Sequence, residues 1–381
     1  MVQIVCAAWD TPEVLKKEAH YICDKSDARP VMQKAIDDAD RLGVSCVLLR
    51  GTYEINSVGE RSRKGAICFY NPEEKKRWYF QNRARYHVLE GANIPLGYLD
   101  GAMVTMGKKF YDSLPDEDTF SLFYADGNDI FGRGICIRNL VVKLPGSYKP
   151  VIVFDGRFAS AVRYEDTWIT SFDPTEINPA TAENIPVPNV RSVGFRGCCG
   201  SNFYSTVWRN CAAQGFGTGF DIGGEHVYCE GLSALYNVWG FAFDCYKGKE
   251  DINQPDNLPA KGIGIYPIYC VNLLDEHNIN MPKFGNESFN GHRPDNLPQS
   301  ITIRAMNLQW PNVAPGYTDR EAESFLKERH RAVEIQKGSW RGSIEYVIDH
   351  WTPDCNLTNE PFFEEGNGLN IQTINLSQKN T

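Results

Sequence analysis

The feature that most constrains this chain is a recurrence. Short apolar runs, each bounded by Gly, Asn or Asp, return through its middle at 135–143, 151–155, 162–170, 190–195, 206–212, 219–222, 226–232, 240–244 and 263–273. A return of about 20 to 25 residues is the mark of a solenoid, in which each unit is buried only by stacking on its neighbours. Two units align directly. Val207-Trp208-Arg209-Asn210-Cys211 leads to Gly219-Phe220-Asp221, and Val227-Tyr228-Cys229-Glu230-Gly231 leads to Gly240-Phe241-Ala242-Phe243-Asp244. This alignment predicts Cys211 and Cys229 stacked on neighbouring rungs inside the coil, because like residues fill a parallel interior. It also places Asp221 and Asp244 at equivalent points one rung apart.

The segment 26–55 supplies a beginning. Val31, Met32, Ala35, Ile36 and Ala39 fall on one stripe at helical spacing. Ser26 or Asp27 caps the start, Pro30 suits the first turn and Gly43 ends it, which predicts a helix over 31–42. An apolar run at 46–49, a break at Gly51 and an extended stretch at 53–55 follow. Ahead of the helix stand Ala7 to Asp10, Thr11-Pro12-Glu13, Lys16 to Ala19 and Tyr21-Ile22-Cys23-Asp24. This lead-in and the helix-Gly-strand-Gly-Thr-Tyr order resemble the entry segment of pectate-lyase-like right-handed parallel β-helix proteins, in particular the tail-associated members of phages and prophages. The resemblance covers residues 1–55. It implies an all-β fold: a single-stranded right-handed parallel β-helix whose short N-terminal helix caps the open end. The chain then divides into a cap segment, 1–56, and a β-helix, 57–381, with long loops near 246–262 and 274–300.

Composition narrows the partners. The 381 residues suit one large solenoid, and no linker divides them. A net charge of -9 argues against nucleic acid as the main partner. No stretch reaches the length of a membrane span, so membrane insertion is not expected. The N-terminal apolar run has no basic region before it and is too short for a signal peptide. Twelve cysteines lie scattered, several inside apolar runs such as Cys46, Cys68, Cys136 and Cys270, which predicts buried free thiols made in a cytosol. Cys198-Cys199 reads as a loop pair, and without a CxxC pair no metal site is expected.

Other stretches carry weaker signals. The charged segments at 60–64 and 73–85 read as solvated strands. The long polar segments at 247–261 and 275–300 each contain Pro-Asp-Asn-Leu-Pro, at 255–259 and 294–298. Thr318-Asp319-Arg320-Glu321 is a capping-box pattern for a helix running to Glu328, and 332–335, 343–348 and 369–374 read as late strands.

Outward side chains of a parallel coil form ladders, and a groove along one face suits an extended polysaccharide. Glycoside hydrolysis needs two carboxyl groups at a set separation. The densest acidic cluster is Asp221, Glu225, Glu230 and Asp244, the candidate catalytic set, with Asp221 and Asp244 roughly 5 Å apart if in register. His226, in a Gly-Gly-Glu-His turn, and Trp239, beside Tyr236 and Asn237, are candidate substrate contacts. A second group is Asp155, Arg157, Arg163, Glu165 and Asp166, either a structural ion-pair ladder or a grip for an acidic sugar. Strand-end aspartates also commonly serve only as turn residues. The galacturonan-hydrolase motifs Asn-Thr-Asp, Gly-His-Gly and Arg-Ile-Lys are missing, which argues against that activity. No cofactor is expected, save calcium if the reaction is eliminative as in the pectate lyases of this fold.

These readings lead to a virion or prophage tail protein, made in the host cytoplasm, that binds and in one version depolymerises a bacterial surface polysaccharide. The resemblance implies a homotrimer. Two other readings stay open: a cellular polysaccharide lyase, glycoside hydrolase or epimerase, cytoplasmic or secreted without a signal peptide, and a structural spike without catalysis.

Overall fold

The computed structural model describes residues 3–59, 65–69, 85–95, 101–125, 133–156, 159, 161–172, 186–197, 206–223, 226–243, 266–276, 278, 283–284, 299–310, 334–335, 340–350, 362–363 and 368–375. Every strand pairing among them is parallel, and the strands fall into a sheet of 18 and a sheet of 9. The fold is therefore all-β and solenoidal in its strand order.

Each middle turn of the chain gives two strands to the large sheet and one to the small sheet. β1 (Ile4–Ala7), β2 (Tyr21–Ile22), β3 (Cys46–Leu48), β4 (Gly51–Ile55) and β5 (Gly65–Cys68) begin the series. β6 (Arg85–Gly91), β7 (Ala102–Met106) and β8 (Phe120–Tyr124) form the next turn. β9 (Arg133–Arg138), β10 (Leu140–Lys143) and β11 (Val151–Asp155) follow, then β12 (Ala161–Glu165), β13 (Trp168–Thr170) and β14 (Val193–Arg196). β15 (Thr206–Arg209), β16 (Ala212–Gln214) and β17 (Thr218–Ile222) precede β18 (Val227–Glu230), β19 (Ser233–Leu235) and β20 (Trp239–Phe243). The later turns are β21 (Tyr266–Glu276) with β22 (Lys283–Phe284), β23 (Gln299–Trp310) with β24 (Glu334–Ile335), β25 (Trp340–His350) with β26 (Phe362–Phe363), and β27 (Gly368–Asn375). β22 interrupts the predicted loop at 274–300. The segment 246–262, the predicted helix at 318–328 and Cys198-Cys199 lie outside the described residues.

Most of the long apolar runs are two strands rather than one. In 135–143, 162–170, 206–212 and 226–232 a single residue bends the chain, and its φ is positive: Asn139 (57°), Asp166 (47°), Asn210 (49°) and Gly231 (62°). Asn272 (53°) continues the column inside β21. Gly, Asn and Asp tolerate this left-handed conformation better than other residues. Each bend residue donates its backbone N–H to the next turn, as Asn210 N does to Glu230 O at 2.9 Å, so the corners stack as the strands do.

The interior is filled by columns. On the small sheet Phe123, Phe154, Phe195, Phe220 and Phe241 stack on successive turns with ring centroids 5.3, 5.2, 5.0 and 5.3 Å apart. On the large sheet the inward column runs Cys46, Leu89, Ile137, Tyr164, Trp208, Cys229, Cys270 and Ile303, all buried. Stacking of like residues holds, but with different members. Cys229 lies over Trp208 and under Cys270, while Cys211 is a corner residue, so the predicted Cys211–Cys229 stack is not formed. The eight cysteines among the described residues are free and buried.

A second column is polar. Asn237 Oδ1 accepts from Phe216 N at 2.9 Å, and its Nδ2 donates to Ala213 O at 3.2 Å. One turn later Asn278 Nδ2 donates to Ala234 O at 2.9 Å, and Asn278 Oδ1 accepts from Asn237 N at 2.7 Å. These amides replace the ladder bonds that the chain loses on turning from the large sheet to the small one.

Among the described residues three short or medium helices accompany the strands: α1 (Glu13–Lys16), α2 (Arg29–Leu42) and α3 (Lys108–Ser113). α2 is the helix expected at 31–42, begun two residues earlier. Its N-cap is Ala28 without a side-chain bond, while Asp27 accepts from Arg29 N and Asn56 N, each at 3.0 Å. Gly43, at φ 73°, ends it. Met32, Ala35, Ile36 and Ala39 are buried in the same hydrophobic cluster as Ile4, Cys46 and Ile67. The N-terminal segment also joins the large sheet directly, through β1–β3, β3–β6 and β4–β7 pairs.

Candidate functional site

Register determines which candidate residues meet. On the small sheet Asp221 pairs with Ala242 and Ile222 with Phe243. Asp221 and Asp244 therefore do not occupy equivalent positions: the direct alignment was two residues out, because β17 and β20 were matched by their end acids instead of by Phe220 and Phe241. Asp244 and Glu225 themselves lie outside the described residues, as does Arg157. Asp221 has an arginine beside it. The outward column runs Asp155, Arg196, Asp221, and Arg196 Nε donates to Asp221 Oδ2 at 3.0 Å. Asp155 accepts from Ser121 Oγ at 2.9 Å. Asp155 and Asp221 are both buried, so this column is a charge-compensated support under the surface.

The large sheet separates Arg163 and Glu165 from Asp155. In β12, Val162 and Tyr164 enter the core, whereas Arg163 and Glu165 alternate outward. Glu165 then falls in an outward column of alternating charge: Glu90, Arg138, Glu165, Arg209 and Glu230 on five successive turns. Adjacent members stand one strand spacing apart, about 4.8 Å. Arg138 pairs with Glu90 at 2.5 Å, and Arg209 Nε pairs with Glu230 at 3.2 Å. Glu165, in the centre, makes no ion pair or side-chain hydrogen bond among the described residues, because each flanking arginine turns to its other neighbour.

A second outward column runs beside it, two residues earlier on each strand: Val88, Cys136, Arg163, Val207, Tyr228 and Tyr269. Arg163 is half-buried. Its guanidinium carbon lies 5.1 Å from the Tyr86 ring centroid, and its buried Nε has no hydrogen-bond partner. Tyr86 reaches it across Gly134, where a Cβ would sit 2.5 Å from the ring. Tyr228 and Tyr269 stack with centroids 5.7 Å apart and planes 13° off parallel, and the Arg304 guanidinium lies 6.0 Å from the Tyr269 ring. Tyr228 donates its hydroxyl to Glu230 at 3.1 Å. Desolvation and that bond to the carboxylate push the Tyr228 phenol above its ordinary range. Beneath them, burial and the nearby Glu165 carboxylate push the Cys136 thiol up to about 11, against the opposing pull of Arg138 and Arg163.

The remaining candidates are dispersed. His226 is exposed in a left-handed conformation (φ 54°), its carbonyl accepting from Thr206 N at 3.1 Å. Trp239 is half-exposed at the start of β20, beside Thr218 and on the same face of the strand as Phe241. Glu230 and Glu165 are brought together with Arg163; Asp155 and Asp221 are brought together elsewhere. Arg138, Arg209, Arg196 and the Tyr228–Tyr269 pair were missed. A readable signal existed for the first two. A charged residue directly before the corner residue recurs in Glu90-Gly91, Arg138-Asn139, Glu165-Asp166, Arg209-Asn210 and Glu230-Gly231.

Comparison with protein families, curated proteins and solved structures gives no match. Among the described residues no three His, Cys, Asp or Glu side chains come together as a metal site requires.

Proposed function

We propose that this chain is a virion or prophage tail-associated right-handed β-helix that binds a bacterial surface polysaccharide along the outer face of the large sheet. In this reading the sheets close into one coil, α2 plugs its N-terminal end, and three copies stand side by side. The observation that carries it is the outward double column, most of whose members are half-exposed. Charged groups of both signs and a stacked tyrosine pair repeat at strand spacing, and aromatic faces beside hydrogen-bonding groups suit sugar rings.

Binding is favoured over cleavage by the carboxylate positions. Glu165 and Glu230 are two turns apart, about 9.6 Å, which exceeds the separation of a retaining pair and lies at the upper limit for an inverting one. Glu230 is also held by Arg209 and Tyr228. The test is sedimentation of the protein with surface polysaccharides from a panel of bacteria, followed by sizing of the glycan. Binding without shortening is expected, and Tyr228→Ala with Tyr269→Ala should weaken it about tenfold. Shortened chains would establish a depolymerase. No binding to any member, in a folded protein, would leave the non-catalytic spike.

A further inference from the structure

Within the outer face one place departs from the charge pairing around it. Arg163 and Glu165 offer a donor and an acceptor that the protein leaves without hydrogen-bond partners among the described residues, while every neighbouring charge in the column is matched. Arg163 Nε is itself buried, so the terminal N–H groups of its guanidinium, which make no hydrogen bond or ion pair among the described residues, are the donors that a ligand can reach. The next residue in the column of Arg163 is Val207, half-buried and apolar, and the next after that is Tyr228. The order is thus acceptor and donor, then an apolar patch, then an aromatic face, spread over two strand spacings.

We propose that Arg163, Glu165 and Val207 form a subsite for the acetamido group of an N-acetylated amino sugar, with Tyr228 under the sugar ring. This rests on the glycan-binding reading above and specifies the glycan. The amide N–H donates to the Glu165 carboxylate. The amide carbonyl accepts from the terminal N–H groups of Arg163, and the methyl group lies on Val207. A carboxylate-bearing sugar fits less well. Arg163 has Glu165 two residues on along its own strand, so a carboxylate seated on Arg163 also meets the like charge of Glu165. Tyr86 holds the guanidinium from its other side and pre-orients it.

The test is calorimetric titration of the full chain with chitotetraose, cellotetraose and tetragalacturonate. Chitotetraose differs from cellotetraose in its acetamido groups. At least tenfold tighter binding of chitotetraose than of the other two is expected. Arg163→Met and Glu165→Gln should each remove that preference, while Tyr228→Ala weakens chitotetraose and cellotetraose alike. A melting curve for each variant separates lost folding from lost contact, and Glu165→Gln, a near-isosteric change at a half-buried position, keeps the test alive if Arg163→Met unfolds. Equal binding of chitotetraose and cellotetraose would overturn the acetamido subsite and leave the glycan reading intact. Tighter tetragalacturonate would make Arg163 a carboxylate clamp and overturn it as well. Failure of all three sugars, together with failure of every surface polysaccharide, would overturn both.

Discussion

The molecule carries two ladders of alternating charge, and burial separates them. Asp155, Arg196 and Asp221 climb the outside of the small sheet with the Arg196 and Asp221 side chains only 12% and 3% exposed. Glu90, Arg138, Glu165, Arg209 and Glu230 climb the outside of the large sheet, where Arg209 and Glu230 are 46% and 38% exposed. The same alternation therefore has opposite consequences. A buried charge must be compensated within the protein, because removing its partner strands it away from water. An exposed ion pair contributes little, so its members can exchange a protein partner for a ligand at small cost. The small-sheet ladder is enclosed, whereas the Arg209–Glu230 end of the large-sheet ladder is open to solvent.

Substitutions on each ladder test that contrast. Arg196→Met should cost about 3–5 kcal/mol in urea unfolding, since it removes the guanidinium that pairs with the buried Asp221. A loss under 1 kcal/mol would show that the small-sheet ladder is as solvated as the other. Alkali should act next most strongly. Cys136 titrates near 9.0 when unfolded and at about 11 when folded. Between these values the native state keeps a proton that the unfolded state releases, so stability is full below pH 9 and falls as pH rises to 11. The share of this one thiol is on the order of 2–3 kcal/mol, and Cys136→Ala should flatten that part of the profile, measured by melting temperature against pH. Arg209→Met should lower stability by about 1 kcal/mol or less, because its pair with Glu230 is open to solvent. Glu165→Gln should change it least, by under about 0.5 kcal/mol. A larger loss would mean that Glu165 has a structural partner after all.

Much of this arrangement was legible before any coordinates. The stripe of α2, its stop at Gly43 and the apolar strands of the middle turns follow from periodicity and turn chemistry. What escaped was whatever needs register. The corners at Asn139, Asp166 and Asn210 are only one or two residues wide, so they do not interrupt an apolar run, and each pair of strands looked like one. The error with Asp244 is also one of register, because β17 and β20 pair residue for residue from their shared Phe and the partner of Asp221 is Ala242. Arg163 and Glu165 were visible as a charged group, but Asp155 was grouped with them. Only the change of sheet between β11 and β12 parts the three. The tyrosine pair was hidden because Tyr228 and Tyr269 are 41 residues apart, with a long insertion between their turns.

The phenylalanine column has a mechanical consequence. Five rings spaced 5.0–5.3 Å apart leave no slack along the axis of the stack. A compressive load applied at one end is carried by ring contacts as well as by the interstrand hydrogen bonds, and both resist shortening. The middle of the molecule therefore behaves as a stiff strut, and truncating one ring, as in Phe220→Ala, inserts a compliant joint at a known height.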